Sequence, residues 1–235
     1  MYDALWDNWY FPAALPALER LFFSKTPPRA RVLDLCCGSG HITKELVSRG
    51  YDVTGIDSSA ALISLARRAL PGTDFRVEDA RHLQIAKSYA GVLSTFDALN
   101  HIMTLEELGD VFRGVHSALE PGGLFVFDMN LEEAYSIAPR EWMSDISENA
   151  VGLVRGTYDA LTRKAATELI WFVRTGTDNT WTRRRSVIEE RCYSQSEIVR
   201  ELTAARFNSI EAIPAIEAGM RSDMAFGRLF FVARR

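Results

Sequence analysis

The sequence has little cysteine, little histidine, no excess of basic charge and no long apolar run. Its 235 residues hold three cysteines. Two of them, Cys36 and Cys37, are adjacent, which makes a poor disulfide framework and fits a reducing compartment. Adjacent cysteines cannot easily share one tetrahedral ion, no C-x-x-C occurs, and Cys192 is far away, so no metal is expected. They read instead as small residues packed around a crowded turn. The formal charge of −4 leaves no broad basic footprint for nucleic acid. The local cluster Arg183, Arg184 and Arg185 reads as a solvated strand edge. No apolar stretch approaches the roughly 18–20 residues of a membrane span. The N-terminus, "MYDALWDNWYFPAALPALERLFF", is aromatic with early acids and lacks the basic start and small-residue cleavage site of a signal peptide. The expectation is a cytoplasmic protein with neither a membrane nor a nucleic-acid partner.

What is present is an ordinary globular balance, 47% hydrophobic and 25% charged, in a chain long enough for one α/β domain with an elaboration. Residues 2–23 read as helix interrupted near Pro12 and Pro16. "RVLDL", "DVTGID", "DFRVED", "GVLST" and "LFVFD" read as strands. Helices lie between them: His41 to Arg49, closed by Gly50; a helix capped by Ser58 or Ser59 and running to about Leu70; and Thr104 to Leu119, with Glu107 placed for a capping box. Strand and helix in alternation predict a parallel sheet covered on both faces. From about 151 to 192 the pattern changes to three β-prone segments, "GLVRGTYD", "AATELIWFVRTG" and "TWTRRRSVIEERCY", separated by the turns "YDALTRK" and "TGTDNT". A helix from Ser194 to Ala205 and the strands "NSIEAI" and "LFFVARR" close the chain. The expected fold class is α/β. It is a Rossmann-like, seven-stranded, mostly parallel sheet over 25–132 and 193–235, with a helical cap over 1–24 and an inserted antiparallel β lid over 133–192.

The chemistry concentrates at "VLDLCCGSGHI", residues 32–42. A strand, a tight glycine turn and a helix N-terminus form the usual ligand crevice of an open α/β sheet. Gly38 and Gly40 let a ligand approach the backbone, and free helix N–H groups can meet a carboxylate or phosphate. The third glycine of G-x-G-x-x-G is missing and no P-loop occurs, so neither a dinucleotide nor a triphosphate cradle is indicated. Asp57, at the end of the second strand, is placed to accept from both hydroxyls of a ribose. Asp79, at the end of the third, is placed to accept from an adenine amine. Each acid alone reads as a cap or surface charge. In this order, each at a strand's carboxyl end, they read as a nucleoside seat.

"VLDLCCGSG", "VTGIDSS", "RVEDARHL" and "LEPGGLFVFD" together resemble the class I S-adenosylmethionine-dependent methyltransferases, over about Arg31 to Asp128. The resemblance implies S-adenosyl-L-methionine as cofactor. Asp34, Gly38 and Gly40 would surround its methionine part, with Thr95 and Phe96 beside them. Asp57 and the adjoining Ser58 would lie at the ribose, and Asp79 with the backbone of Ala80 at the adenine. Cys36 departs from the pattern, where the family more often has glycine. "STFDALNHIMTLEELGDVFRGV" looks like a small-molecule subgroup with D-x-L-N-[HY] after strand four and an inserted antiparallel sheet, members of which methylate amines on sugars or amino acids.

The implied activity is methyl transfer to an amine or hydroxyl of a small molecule by in-line displacement. The alternatives are a protein acceptor, or a cofactor-binding protein that does not catalyse. The sulfonium carbon is already electrophilic, so the protein needs mainly to align the reactants and exclude water. His101 is the candidate base or substrate-orienting residue, with a side chain that titrates near neutrality. Its plainer reading is a helix-start histidine bonded to backbone. Asn100 and Asp97 are candidates to orient an acceptor, as are Asp128 and Asn130 at the end of strand five and Tyr2 and Tyr10 from the N-terminal cap. Nothing in the sequence decides between a monomer and a homodimer.

Overall fold

The computed structural model describes residues 2–83, 88–136, 141–175 and 180–235; the side chains of residues 2–9, of Asp145 and of Asp223 lie outside the described residues. Much of the predicted turn 175–180 falls outside them too. Seven strands build the main sheet: β1 (Arg31–Leu35), β2 (Asp52–Asp57), β3 (Asp74–Val77), β4 (Tyr89–Ser94), β5 (Leu119–Asn130), β10 (Asn208–Pro214) and β11 (Arg228–Arg234). Their order is β10-β11-β5-β4-β1-β2-β3. Only β11 runs antiparallel to its neighbours. The strand order reverses at β1, which pairs with β2 on one side and β4 on the other. A crevice opens at the carboxyl ends of such a pair.

Helices cover both faces. α4 (Leu105–Ala118) and α6 (Gln195–Ala204) bury Leu108, Phe112, Val115 and Leu202 against Phe125, Phe127 and Phe231. On the other face lie α1 (Tyr2–Leu18), α2 (His41–Ser48) and α7 (Ala215–Ala218), over Val32, Leu124, Val126 and Phe230. α3 (Ala60–Ala69) starts at Ser59, whose hydroxyl accepts from Leu62 N at 3.3 Å. Among the described residues, no helix is long and apolar enough to cross a membrane.

Three expectations change. α1 is not interrupted: it runs through Pro12 and Pro16 and continues into a π-helical turn over Glu19–Phe23. Each proline removes one backbone donor, but Ala13, Ala14, Ala17 and Leu18 are wholly buried around them, and that packing holds the helix together. The cap of α4 is half of the expected box. Thr104 Oγ1 accepts from Glu107 N at 3.2 Å, but the Glu107 carboxylate takes the Thr104 hydroxyl at 2.9 Å and Arg81 at 2.7 Å. The reciprocal box occurs instead at Ser194 and Glu197, opening α6. The inserted sheet has four strands, not three: β6 (Met143–Ile146), β7 (Ala150–Asp159), β8 (Lys164–Arg174) and β9 (Trp181–Arg191), all antiparallel in that order. Leu169 and Trp171 alternate inward on β8 with Val154 of β7. Arg183–Arg185 are exposed on β9, and Arg185 meets Glu168 at 2.6 Å. Short helices α5 (Glu132–Ser136) and α8 (Ser222–Ala225) complete the chain.

Candidate cofactor and active site

A cavity of about 480 Å³ opens at the switch point, lined by the turn after β1, the ends of β2 and β3, and the turn after β4. The glycine turn follows from the packing beneath it. The ring of Phe75, on β3, lies under the turn with Cys37, Ile63 and Ala66. A Cβ on Gly40 (φ +91) would stand 3.2 Å from that ring and 3.3 Å from Ala66, and one on Gly55 of β2 would stand 2.7 Å from the ring. Gly40 therefore packs against the ring beneath the turn and is not among the residues that line the cavity. Gly38 does line it: its φ is +55 and nothing stands within 4 Å of where its Cβ would be. Cys36 also has a positive φ, 61, the conformation glycine adopts without strain. Burial pushes the Cys36 and Cys37 thiols up, so they are thiols and not thiolates. Among the described residues no three His, Cys, Asp or Glu side chains group as a metal site.

Asp34 also lies beneath the turn. Its carboxylate is buried, accepts from Thr43 Oγ1 in the first turn of α2, and lies outside the cavity lining. Burial raises its pKa to about 7. It braces the turn from below. Asp57 faces the cavity. Oδ2 accepts from Gly38 N at 3.0 Å and Oδ1 from Ser59 N at 2.8 Å. A carboxylate oxygen has two acceptor positions, so each keeps one for a ligand. Ser58, Asp79 and Ala80 line the same wall. Asp79 caps the 3₁₀ turn Ala80–His82 and accepts from the Arg81 guanidinium at 2.6 Å, which holds its pKa down to about 2. Thr95, Phe96 and His101 form the opposite wall.

Next to His101 the sheet edge is closed by a buried charged network. Phe96 (φ 65) and Asp97 (φ 46) are both left-handed. Two such non-glycine residues in succession are strained, at a cost of order 1–3 kcal/mol each. They are held there because both amides point at Asp128 on β5: Phe96 N donates to Oδ1 at 2.8 Å and Asp97 N to Oδ2 at 3.2 Å. Tyr10 Oη donates to Oδ1 at 2.7 Å. Arg228 donates to Asp128 Oδ2 and, at 3.0 Å, to Asp97 Oδ1. Asn130 Nδ2 donates to Asp97 Oδ2 at 3.0 Å. Asn100 Nδ2 holds the carbonyls of Asn130 and Arg191, at 3.0 and 2.9 Å.

Tyr10, Asn100 and Asn130, expected to contact an acceptor, thus belong to this network and are not among the residues that line the cavity. Tyr10 is fully buried and stacks on Phe96 with ring centroids 4.5 Å apart. Among the described residues, the N-terminal helix gives the cavity Phe11, stacked on His41 at 5.6 Å. The side chain of Tyr2 lies outside the described residues. The sequence reading missed Arg228 and Glu190. The signal for Arg228 is a lone arginine in the apolar strand "GRLFFVA". Glu190 sits in "IEERCY", where a second acid in an exposed-looking strand points inward.

His101 is placed by the inserted sheet. Its Nδ1 stands 3.1 Å from the carbonyl oxygen of Glu189 on β9. A carbonyl only accepts, so Nδ1 carries the hydrogen, and in the neutral ring Nε2 keeps its lone pair.

Residues 32–123 match a family model described as a methyltransferase domain. The chain is 31% identical to a trans-aconitate 2-methyltransferase of Shigella dysenteriae, over 94% of this chain and 92% of that protein. It is 32% identical to a dTDP-3-amino-3,4,6-trideoxy-alpha-D-glucopyranose N,N-dimethyltransferase of Streptomyces venezuelae, over half of each; the chain spans about half the length of several curated relatives, this one included. The solved structure of the sugar N-methyltransferase KedS8 from Streptoalloteichus superposes with a TM-score of 0.84, covering all of this chain and 92% of that one at 19% identity. The fold and the switch-point cavity define an α/β nucleoside-binding protein. Relatedness along nearly the whole chain makes the assignment specific: the chain belongs to the class I S-adenosylmethionine-dependent methyltransferases.

The residues present fit the cofactor of that family. Gly38 leaves room a side chain would fill, Asp57 keeps two acceptor positions toward that room, and Ala80 lines the far wall.

Proposed function

We propose that the chain transfers a methyl group from S-adenosyl-L-methionine to an amine or hydroxyl of a small molecule by in-line displacement, in the cytoplasm and without a nucleic-acid or membrane partner. The cofactor supplies an electrophilic methyl carbon. Asp57 binds the ribose hydroxyls, Ser58 and Ala80 flank the nucleoside with Asp79, and Gly38, Thr95 and Phe96 border the methionine part. Asp34 and Gly40 shape the turn from beneath. His101 Nε2, facing this space with its lone pair, takes the proton that the acceptor loses. The observation that carries the reading is this pairing in one 480 Å³ cavity of an open nucleoside wall with a histidine whose tautomer is set.

Parallel calorimetric titrations with S-adenosylmethionine, S-adenosylhomocysteine and NAD test it. Micromolar binding of both sulfur cofactors and no response to NAD is expected; failure of both sulfur cofactors to bind folded protein sinks it. The acceptor is then sought by following release of S-adenosylhomocysteine with an amino sugar and its hydroxyl counterpart. Trans-aconitate belongs in the same set, because the relative that covers nearly the whole chain is named for it. General-base catalysis contributes about 10²–10⁴-fold. His101→Ala is therefore expected to slow a hydroxyl acceptor by a factor in that range and a neutral amine by less. Equal slowing of both removes His101 as the base.

A further inference from the structure

Three consecutive residues of β9 hold the turn that follows β4. The Glu189 carbonyl receives His101 Nδ1 at 3.1 Å, and the Arg191 carbonyl receives Asn100 Nδ2 at 2.9 Å. Between them, the Glu190 side chain turns inward and is buried toward Asp97. Glu190 is only 8% exposed, on a strand whose residues 181–187 are exposed. The charged and titratable groups around it come from three elements. Asp97, with His101 behind it, belongs to the turn after β4; Arg228 belongs to β11; Tyr135 belongs to α5. The Tyr135 hydroxyl is buried beside this pair with no hydrogen-bond partner among the described residues. Arg228 is already committed to Asp97 and Asp128.

Two carboxyl groups in contact cannot both be ionised without strong repulsion. Asp97 accepts from Arg228 and Asn130, so it is the ionised member. Burial and the neighbouring Asp97 raise the Glu190 pKa to about 9. Glu190 therefore donates, and its proton is what joins the lid to the turn.

We propose that Glu190 is a positioning residue: its carboxyl docks the end of β9 on the turn after β4 and thereby sets which nitrogen of His101 faces the cavity. The docking brings the Glu189 carbonyl to Nδ1. Without it, His101 loses the partner that selects its tautomer. The inference rests on the methyl-transfer reading for what His101 does, but not for how the ring is held. Glutamine at this position retains a donor to Asp97 and cannot ionise. Alanine removes the link.

Nitrogen-15 NMR of the histidine rings tests the proposal, with His101→Asn used to assign the signal. In the wild-type protein at pH 7.5, the neutral His101 ring is expected to carry its hydrogen on Nδ1. Glu190→Gln keeps that form, and Glu190→Ala shifts the tautomer ratio at least fivefold toward Nε2–H. Should the alanine variant fail to fold, the pH dependence decides. Above about pH 9 the wild type loses the Nδ1–H form, while Glu190→Gln retains it. An alanine variant that keeps the Nδ1–H form overturns the proposal, as does loss of that form by wild type and Glu190→Gln at the same pH. Titration with S-adenosylhomocysteine is run on the same samples. Wild-type protein that fails to bind it removes the methyl-transfer reading and leaves the tautomer result standing.

Discussion

The two halves of the sheet's carboxyl edge solve opposite problems. Over β1, β2 and β3 the edge is open: Gly38 has empty space before it, and Asp57 uses backbone amides to hold itself while keeping acceptor positions free. Over β4, β5 and β11 the edge is shut: two buried acids, the half-buried Asp97, one guanidinium and a tyrosine hydroxyl satisfy one another. The open half is built from absences, of side chains and of partners. The closed half is built from charges that would be costly alone. His101 stands at the boundary, with one nitrogen committed to the closed side. The lesson is that the same strand ends can present a ligand seat or a brace, and polarity does not tell which. Asp34 and Asp57 lie near the carboxyl ends of neighbouring strands, but Thr43 claims the first and the cavity claims the second.

The largest effect should come from breaking the closed half. Arg228→Ala leaves Asp97 and Asp128 buried without their cation, and removing one partner of a buried pair costs about 3–5 kcal/mol. The urea midpoint should fall accordingly; an unchanged midpoint would mean that the network is not buried as described. On the open half, Asp57→Ala should weaken S-adenosylhomocysteine about tenfold or more, since an unpaired buried polar group costs roughly 1–3 kcal/mol. Calorimetry reads that loss directly, and intact affinity would count against the seat. Two alanines sharpen the contrast within one turn. Gly40→Ala should lower stability by about 1–3 kcal/mol through overpacking against Phe75. Gly38→Ala should cost about 1–2 kcal/mol for its left-handed backbone and add a loss of cofactor affinity. A stability loss at Gly38 larger than at Gly40 would reverse their assignment.

The last effect concerns pH. The folded Glu190 pKa, about 9, lies above the ordinary 4.5. Between those values the folded chain holds a proton that the unfolded chain has released, so stability falls as pH rises through that window. Glu190→Gln lacks this dependence. Its melting temperature relative to wild type should rise from pH 5 to pH 9 and then level off, by about 2–4 °C for each kcal/mol involved. A constant difference across that range would show that Glu190 does not titrate as a buried acid.

The main sheet was legible because alternation, glycine turns and serine caps are local signals: Ser59, Gly50 and the apolar runs of β1 and β2 mark their own elements. Much of the open wall was legible for the same reason, each marker lying at the end of a strand visible in the sequence. The closed half was not. Its contacts join residues far apart in the chain, and an acid that braces looks like an acid that binds. Asn100 and Asn130 read as acceptor contacts because nothing local reveals that Asn100 holds the Asn130 backbone and Asn130 holds the Asp97 carboxylate. The continuous α1 was hidden by Pro12 and Pro16, whose local penalty is outweighed by the burial of the alanines beside them.

The single guanidinium also sets a timetable. Domains generally fold as units, and Arg228 follows Asp128 by 100 residues and Asp97 by 131. Until β11 is made, the two left-handed residues after β4 and the acid that holds them have no counter-ion. The edge over β4 and β5 therefore reaches its final shape only when β11 lies beside β5.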